Sequence, residues 1–332
     1  MARYIRALVS SLRESPGIRL RVYRGAGPRV VGPHLLMPLR MRLEGADVLH
    51  GPANGLPVLR FGIRGVVTIQ DLTIYRHPEW FPPRQWLSTR VLVPRSVREA
   101  RIVIAPSQAT RRDALSLFGV GADRVRVIPY GVETEYGLPV SEAVRSEVRR
   151  ELDLPERYLL QVGTVQPRKN YETSLRALAH LPPAERVPLI AAGGFGWDFQ
   201  PVLRLVQDLG LKDWVRFAGY IRTRHLPALY QMATAVLFPS LDEGFGLPVL
   251  EAFAAGTPVI TSDAGALPEV AGDAALICPA TDDAALAEHI RAVLRQAELR
   301  ARLSAAGRAR AMLYSWAICA AGHEAAYREA AA

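Results

Sequence analysis

Short apolar runs alternate with helical patterns through the second half of the 332-residue chain. Five runs have the length and composition of buried strands, and they span residues 158–163, 187–193, 215–218, 235–238 and 259–261. Helical periodicity fills the intervals at 171–181, 202–209, 226–232 and 247–255. Strands that alternate with helices of about ten residues predict βαβ units and a parallel sheet. Ligands bind to such a sheet outside the carboxyl ends of its strands.

The first half repeats this pattern less clearly. Strands are predicted at 18–23, 47–50, 66–70, 102–105 and 125–128, and helices at 85–100 and 110–118. A charged helical stretch at 141–152 then leads into the first strand of the second half. We therefore predict an α/β protein with a first domain over residues 1–150 and a second over 151–313.

The chain opens on an amphipathic helix. Ile5, Leu8, Val9 and Leu12 recur at the spacing of one helical face. The favoured interpretation is a helix that faces the core of the first domain. A helix on a membrane surface is the alternative, because arginines flank the apolar face.

Composition narrows the class of protein. Apolar residues make up 49% of the chain, and no apolar run is long enough to span a membrane. Arginines interrupt the N-terminal apolar stretch, which argues against a signal peptide. Cys278 and Cys319 lie far apart without metal-ligand spacing, so we expect a reduced, cytoplasmic setting with both thiols buried.

The net charge of +9 is unevenly distributed. Residues 1–150 carry 24 Lys and Arg against 12 Asp and Glu, whereas the remainder carries 17 against 20. Such a basic half suggests an anionic partner. Membrane headgroups, a lipid-phosphate acceptor and nucleic acid all fit the charge alone.

The segment 237–248 has the features of an anion site. An apolar strand leads into a turn with Gly244 and Gly246, and Pro248 then falls in the first turn of a predicted helix. The glycines allow a ligand to approach the backbone closely, and the helix start favours a diphosphate. Glu243 and Glu251 could face one pocket and accept hydrogen bonds from sugar hydroxyls. The alternative is a plain strand–helix turn with a charged cap and a surface glutamate.

A second element, 161–170, converges on the same edge of the predicted sheet. Gly163 follows a strand, and Arg168 and Lys169 precede a helix. Cations at this position would stabilise the charge on a leaving diphosphate. The chain has only two lysines, Lys169 and Lys212, and this rarity is a weak hint that Lys169 has a chemical role. A solvated pair at a helix start is the alternative.

The stretch EGFGLPVLEAFAAGTPVITSDAGALPEVAGDAALICP at 243–279 resembles the family 4 (group 1) retaining glycosyltransferases. The segments VGTVQPRKN (162–170), FAGYI (217–221) and YSWAICA (314–320) resemble the same family in order, and in the first half DVLHGPANGLP (47–57) also resembles it. The resemblance implies the GT-B fold, in which two Rossmann-like domains face each other across a cleft. It also implies that residues 314–332 form a C-terminal helix that crosses back to the first domain.

The resemblance assigns roles to individual residues. Lys169 and Arg168 should hold the donor diphosphate, Glu243 should contact the transferred sugar, and the remaining positions should contact the ribose, base, sugar or phosphates. The donor-binding set it implies is Gly163, Arg168, Lys169, Tyr220, Glu243, Gly244, Phe245, Gly246, Leu247 and Glu251. Family members need no metal and no other cofactor, since cations and helix ends take the place of a divalent ion.

Two features depart from the family pattern. Relatives often carry His-Asp-Leu after a strand of the first domain, and here Gln70 takes the place of the histidine. Glutamine can donate and accept hydrogen bonds but cannot become a cation. Gln70 therefore either orients a sugar hydroxyl, or catalysis is weakened. Relatives also begin with a strand and a glycine-rich loop, so we expect the first domain to lack its N-terminal strand.

The resemblance favours a retaining hexosyltransferase with Glu243, Lys169 and Gln70 as catalytic candidates. The donor would be a nucleoside diphosphate sugar such as GDP-mannose, and the acceptor a glycan or lipid-linked hydroxyl bound by the basic first domain. We expect a cytoplasmic protein, peripheral on the anionic inner membrane face, with no nucleic-acid partner.

The alternative is a catalytically silent GT-B module that binds a sugar nucleotide or a partner enzyme. A dehydrogenase is disfavoured because no Gly-x-Gly-x-x-Gly follows a first strand.

Overall fold

The computed structural model describes residues 2–23, 31–82 and 88–332 and divides into two α/β units. The first unit comprises the described residues up to Gly131 together with Ser315–Ala332, and the second is Val132–Tyr314. The division at Val132 differs from the boundary predicted near residue 150. It falls earlier because the helix Glu142–Glu151 packs against the helix Leu226–Met232 of the second unit.

A parallel sheet of four described strands, in the order β1-β2-β3-β4, forms the centre of the first unit. Its strands are β1 Val48–Gly51, β2 Arg64–Thr68, β3 Ile102–Ala105 and β4 Val125–Val127. Its α-helices are α1 Ala2–Arg13, α2 Met37–Leu43, α3 Thr73–Arg76, α4 Val93–Glu99, α5 Gln108–Phe118 and, from the C-terminal end of the chain, α14 Trp316–Ala331.

Side-chain alternation along β2 explains why both faces of this sheet are covered. Val67 packs into the apolar cluster that contains Val97 of α4 and Ala114 of α5. The next residue, Thr68, points to the opposite face, where its hydroxyl meets Tyr4 of α1. Successive residues of a strand face opposite sides, so the almost wholly buried β2 requires helices on both.

The strand predicted at 18–23 is wrong. This segment has no regular structure, and none of its side chains is buried. Arg21 and Tyr23 hydrogen-bond to Glu44, at the end of α2, instead of joining the sheet. The alternation of apolar and basic residues resembles that of a strand, but the segment pairs with no described strand and its apolar side chains are at most partly buried.

The helix predicted at 85–100 is only partly present. Residues 85–87 lie outside the described ranges, a π-helical turn covers Ser88–Leu92, and α4 then begins at Val93. Pro94 lies in the first turn of α4. Its missing N–H cannot continue an α-helical ladder from the preceding turn, which accounts for the change in helix type.

A chain of buried polar side chains ties α14 to the rest of the first unit. The Tyr4 hydroxyl lies 3.0 Å from Thr68 Oγ1 and 2.9 Å from His323 Nε2. His50 Nε2 lies 2.8 Å from the same Thr68 oxygen, and the Tyr327 hydroxyl lies 2.7 Å from His50 Nδ1. The network joins α1, β1, β2 and α14, and each of its polar side chains has a hydrogen-bonding neighbour, as polar groups shielded from solvent require.

The second unit contains a six-stranded parallel sheet in the order β10-β9-β8-β5-β6-β7. Its strands are β5 Leu159–Val162, β6 Leu189–Ala192, β7 Val215–Gly219, β8 Ala235–Phe238, β9 Val259–Ser262 and β10 Leu276–Cys278. Its α-helices are α6 Glu142–Glu151, α7 Tyr171–His180, α8 Gln200–Asp208, α9 Leu226–Met232, α10 Leu247–Ala255, α11 Leu267–Ala271, α12 Asp283–Arg295 and α13 Ala297–Ala311.

Helix α10 is buried on nearly every side. Val249, Leu250 and Phe253 are all inaccessible to solvent, and Gly307 of α13 lies close against the Phe253 ring. A helix that is apolar all round belongs in the interior of a protein. The helix that follows the predicted anion-binding turn is therefore held firmly in the second unit.

Among the residues that the structure describes, none of the helices is both long and apolar enough to cross a membrane. Cys278 and Cys319 are free thiols and both are buried, as the sequence predicted.

The buried histidines predict a loss of stability in mild acid. Burial lowers the pKa of His323 to about 4, although its hydrogen bond to the Cys319 carbonyl opposes the change. The unfolded chain therefore takes up a proton near pH 6.5, whereas the folded unit does not until near pH 4. Stability is fully present above pH 6.5, and His323 alone should remove about 2 kcal/mol of it by pH 5.

Urea unfolding of the wild type at pH 7, 6 and 5 measures this loss. We expect a shallower pH dependence in His323→Gln, and an unchanged one in His77→Gln, which alters an exposed histidine of the same unit. Equal slopes in all three proteins would contradict the assignment.

Candidate functional site

The loops after β5 and β8 meet at the carboxyl edge of the second sheet. These strands are direct neighbours and run parallel, with Leu159 opposite Ala235. The Leu241 amide after β8 donates a hydrogen bond to the Arg168 carbonyl after β5, at 2.9 Å. The two segments singled out as an anion site and a cationic loop are therefore in contact.

A three-residue charge cluster lies where these loops meet. Lys169 Nζ is 2.5 Å from Glu243 Oε1, and Arg168 is 3.3 Å from Glu243 Oε2 through one guanidinium nitrogen. Arg168 also reaches the Asp242 carbonyl at 3.5 Å. The Glu243 side chain is 9% exposed, and those of Arg168 and Lys169 are 14% and 12% exposed. Two cations therefore contact one carboxylate, and these three side chains together carry a net charge of +1.

The two cations keep Glu243 ionised despite its burial. Burial by itself raises the pKa of this carboxyl. The charges of Arg168 and Lys169, together with the hydrogen bond from Lys169, outweigh that effect and hold the pKa below its usual value. Glu243 is therefore a hydrogen-bond acceptor at neutral pH.

Lys169 is held in place by residues that the sequence analysis missed. The Gln161 side-chain amide donates to the Lys169 carbonyl at 2.8 Å, and Lys169 Nζ lies 4.7 Å from the centre of the Phe238 ring. The Lys169 stem passes over Gly163, whose φ is +148° and where a Cβ would lie 3.2 Å from Lys169 Cε. A Cβ at Gly163 would be strained at this φ and would crowd the lysine stem.

Asn170 joins the loop after β5 to the segments that follow β8 and β10. It adopts a left-handed conformation with φ 53°, and its side-chain amide donates to the carbonyls of Pro239 and Ala280 at 2.8 and 2.7 Å. Two sequence signals could have found these supports. Gln161 is polar within an apolar strand, and asparagine is one of the few residues that tolerate the left-handed conformation.

Helix α10 begins directly after the loop that carries Glu243. Gly246, with φ +115°, is its N-cap, and Leu247 and Pro248 form the start of its first turn, as predicted. The adjoining Phe245 is 5% exposed and lies edge-on to Tyr314, with ring centres 5.9 Å apart. The partial positive charge of the helix start adds to that of the cationic loop.

Glu251 lies one turn into α10 and is buried. Only 1% of it is exposed, and one of its carboxylate oxygens accepts a hydrogen bond from the Tyr230 hydroxyl of α9 at 2.8 Å. The alternative interpretation of Glu251 as a surface glutamate is therefore wrong.

Tyr220 lies at the same carboxyl edge of the sheet, beyond the outermost strand β7. Backbone bridges join Val165 to Phe195 and Gly193 to Gly219, and so connect the loops after β5, β6 and β7. Tyr220 follows β7 directly and is 81% exposed. Its ring is therefore an accessible surface at the edge of the sheet that also carries the charge cluster.

Gln70 lies in the first unit, two residues beyond the end of β2. Its side-chain oxygen accepts from the Tyr130 hydroxyl at 2.6 Å, and its side-chain nitrogen donates to the Pro52 carbonyl at 2.8 Å. The Gln70 backbone amide donates to Asn54 Oδ1 at 2.6 Å. The donor and acceptor functions of the side chain are thus both used inside this unit. The sugar-orienting role of Gln70 stays a prediction.

One further cluster in the described part of the chain has residue types that could ligate a metal. The two ring nitrogens of His225 face different carboxylates, Glu147 at 3.4 Å and Glu151 at 3.5 Å. Arg224 and Arg222 pair with the same two carboxylates. Because the nitrogens do not converge on one point and cations already occupy the cluster, the arrangement is an ion-pair network between α6 and the turn before α9.

Comparison with known families and proteins identifies the family of the chain. The family described as "Glycosyl transferases group 1" matches residues 144–310, and "Glycosyltransferase Family 4" matches residues 3–136. The chain is 34% identical over 275 residues to O-antigen chain mannosyltransferase B of Escherichia coli, which covers 82% of this chain and 71% of the relative.

Solved structures share the fold. Sucrose-phosphate synthase from Thermosynechococcus elongatus aligns with a TM-score of 0.79 at 24% identity, over 98% of this chain and 92% of that one. Anabaena HepE, in complex with UDP-glucose, aligns with a TM-score of 0.76 at 22% identity, over 95% and 87%. The chain has two parallel-sheet α/β units, and its E. coli relative is similar to it over most of the length of both proteins. The chain therefore belongs to the group 1 glycosyl transferases of glycosyltransferase family 4, which have the GT-B fold.

Proposed function

We propose that this protein transfers a hexose from a nucleoside diphosphate sugar to an acceptor hydroxyl, with retention of the anomeric configuration. The bond between the anomeric carbon and the leaving diphosphate breaks, and the acceptor oxygen bonds to the same face of that carbon. The acceptor proton passes to an oxygen of the leaving phosphate. The observation that carries this proposal is the buried cluster of Arg168, Lys169 and Glu243 at the sheet edge.

The two cations of this cluster suit a departing diphosphate. Lys169 and Arg168 together carry two positive charges against the single charge of Glu243, and both are largely shielded from water. Fixed charges in such a site stabilise developing negative charge without reorganising solvent. The start of α10 supplies further positive potential. These groups would perform the electrostatic work of a divalent ion, so the proposed reaction needs no metal.

The remaining residues would orient the donor. An ionised Glu243 can accept hydrogen bonds from the hydroxyls of the transferred sugar, and Glu251 would contact the ribose. The backbone around Phe245, Gly246 and Leu247 would approach the sugar or the phosphates, and the exposed Tyr220 would lie near the base.

The relatives support mannose as the transferred sugar. The similar E. coli protein is an O-antigen chain mannosyltransferase, so GDP-mannose is the donor we propose. HepE was solved with UDP-glucose, which makes that nucleotide sugar the natural comparison. The acceptor would be a glycan or lipid-linked hydroxyl, with the basic first unit held at an anionic membrane surface.

A panel of nucleotide sugars tests donor choice. We expect GDP-mannose at 100 times its Kd to stabilise the protein by about 2.7 kcal/mol, because only the folded state binds it. The thermal midpoint is measured with GDP-mannose, GDP-glucose, UDP-glucose and UDP-N-acetylglucosamine. Stronger stabilisation by a UDP-sugar would replace the proposed donor, and no stabilisation by any nucleotide sugar would contradict the proposed function.

Replacement of Lys169 should remove catalysis. We expect Lys169→Ala to lower kcat/KM by roughly 100-fold or more, because a preorganised charge on the leaving group is lost. Release of the nucleoside diphosphate from the donor is measured. Lys212→Ala is a matched control, since Lys212 is the only other lysine of the chain and is exposed. Equal activity in the two variants would show that Lys169 has no catalytic role.

Replacement of Glu243 should separate transfer from phosphate binding. Glu243→Gln removes a negative charge beside two cations, so we expect the free nucleoside diphosphate to bind at least as tightly as before. Transfer should fall roughly 10- to 100-fold, because the ionised acceptor for the sugar hydroxyls is lost. Calorimetric titration and turnover are compared in the same preparation. Weaker diphosphate binding with unchanged transfer would refute the assignment of Glu243 to the sugar.

A further inference from the structure

An arginine-lined pocket lies at the amino edge of the first sheet. Its volume is about 680 Å³. Arg64 begins β2, and Arg101 and Arg124 immediately precede β3 and β4. Because the strands are parallel, this edge is opposite the carboxyl edge beyond which Gln70 lies. The pocket belongs entirely to the first unit and is separate from the donor site proposed in the second.

The pocket has far more positive than negative charge. Its six lining arginines are Arg60, Arg64, Arg95, Arg98, Arg101 and Arg124. Glu99 is the only acidic side chain among the described lining residues. Its two oxygens are taken by Arg60 at 3.1 Å and Arg95 at 2.8 Å. The carboxylate therefore offsets one of six positive charges.

The other four arginines have no carboxylate partner within residues 2–23, 31–82 and 88–332. Arg124 donates to backbone carbonyls, including that of Arg98 at 2.7 Å. The side chains of Arg64, Arg98 and Arg101 make no ion pair or hydrogen bond to the described residues, and all three are exposed. Like charges in one concave surface repel each other and concentrate the local potential. An anionic ligand would relieve this repulsion.

The loop beside the pocket has a strained conformation. The Ile63 amide closes a turn on the Arg60 carbonyl at 2.9 Å, and the central residues Phe61 and Gly62 have φ values of +48° and +83°. Glycine tolerates this region, but holding a bulky L-residue there costs about 1 kcal/mol. The turn places Phe61, which is 39% exposed, in the pocket wall. Strain of this kind concentrates at ligand sites.

Arginine and the volume of the pocket together define the ligand chemistry. The planar guanidinium group binds phosphate oxygens in pairs and stays charged at all relevant pH values. A volume of about 680 Å³ exceeds that of a lone inorganic ion and is within the range of small-molecule sites. The exposed Phe61 ring offers an apolar surface for the remainder of the ligand.

We propose that this pocket is a second anion site, in which Arg64, Arg98 and Arg101 bind the phosphate or diphosphate group of a larger molecule. The surplus of positive charge in the first unit agrees with it, since the sequence of that unit carries 22 Lys and Arg against 10 Asp and Glu. The proposal does not depend on the donor chemistry of the second unit. The phosphate group could be part of a lipid headgroup or of a soluble molecule.

Pyrophosphate binding by the full chain tests the site. The variant is Arg64→Gln with Arg98→Gln and Arg101→Gln, and its control is Arg6→Gln with Arg13→Gln and Arg112→Gln. The control removes the same charge from exposed arginines of the same unit that lie outside the pocket. Because all six positions are exposed, both proteins should keep the wild-type thermal midpoint. The measurement is a calorimetric titration at low ionic strength.

We expect pyrophosphate to bind roughly tenfold more weakly to the pocket variant and with nearly unchanged affinity to the control. Any binding at the proposed donor site is common to both proteins and cancels in the comparison. Equal affinities, or equal losses, would overturn the proposal. In Lys169→Ala the pocket titration should persist. If that substitution abolishes all pyrophosphate binding, the second site is refuted while the donor site stands.

Vesicles distinguish the two sources of phosphate. Phosphatidylcholine vesicles with and without phosphatidic acid are sedimented with the wild type, the pocket variant and the control. If sedimentation requires phosphatidic acid and is lost only in the pocket variant, the ligand of the pocket is a lipid headgroup. If the pocket binds pyrophosphate but the protein does not sediment with vesicles, the ligand is a soluble phosphorylated molecule. Absence of both overturns the proposal.

Discussion

The ion pair between Lys169 and Glu243 joins two loops that are 74 residues apart in the chain. It can form only because β5 and β8 are adjacent and parallel, so that their carboxyl ends meet at one edge. The supports of Lys169 depend on the same adjacency, since Phe238 ends β8 and Asn170 bonds to the Pro239 carbonyl. The order of the strands is therefore the constraint from which the site follows.

Burial of Glu243 would be costly without cations beside it. Removing a carboxylate from water is strongly unfavourable unless nearby cations and hydrogen bonds compensate for it. Arg168 and Lys169 together do more than compensate, because two cations flank one anion. Under the proposed function, this excess positive charge would suit the diphosphate of the donor.

The two units have the same α/β layers but place their charged side chains at different edges of the sheet. In the second unit, shielded charges are concentrated at the carboxyl edge of the sheet. In the first, a neutral network from Tyr4 to Tyr327 fastens the C-terminal helix, and the cations lie at the amino edge. A histidine can belong to that network because its pKa is low enough to keep it uncharged.

Most elements of the second half were predictable, because each strand is a short apolar run between glycine or charged segments. Strand β8 and helices α9 and α10 have the predicted limits. The failures share a cause. Residues 18–23 have the alternation of a strand but pair with no described strand, and the helix at 142–151 was assigned to the wrong unit. A local sequence pattern indicates which secondary structure a segment can form, but it does not indicate which other segments it packs against.

The sequence by itself determined the fold class, the family resemblance and the residue types at both sheet edges, because these depend on local composition and on motifs that stay together in the chain. The tertiary structure alone decided which side chains meet. It paired Lys169 with Glu243, turned Glu251 toward Tyr230 and gathered six arginines around one pocket. Such contacts depend on strand order and side-chain packing, which bring together residues that no short stretch of sequence relates.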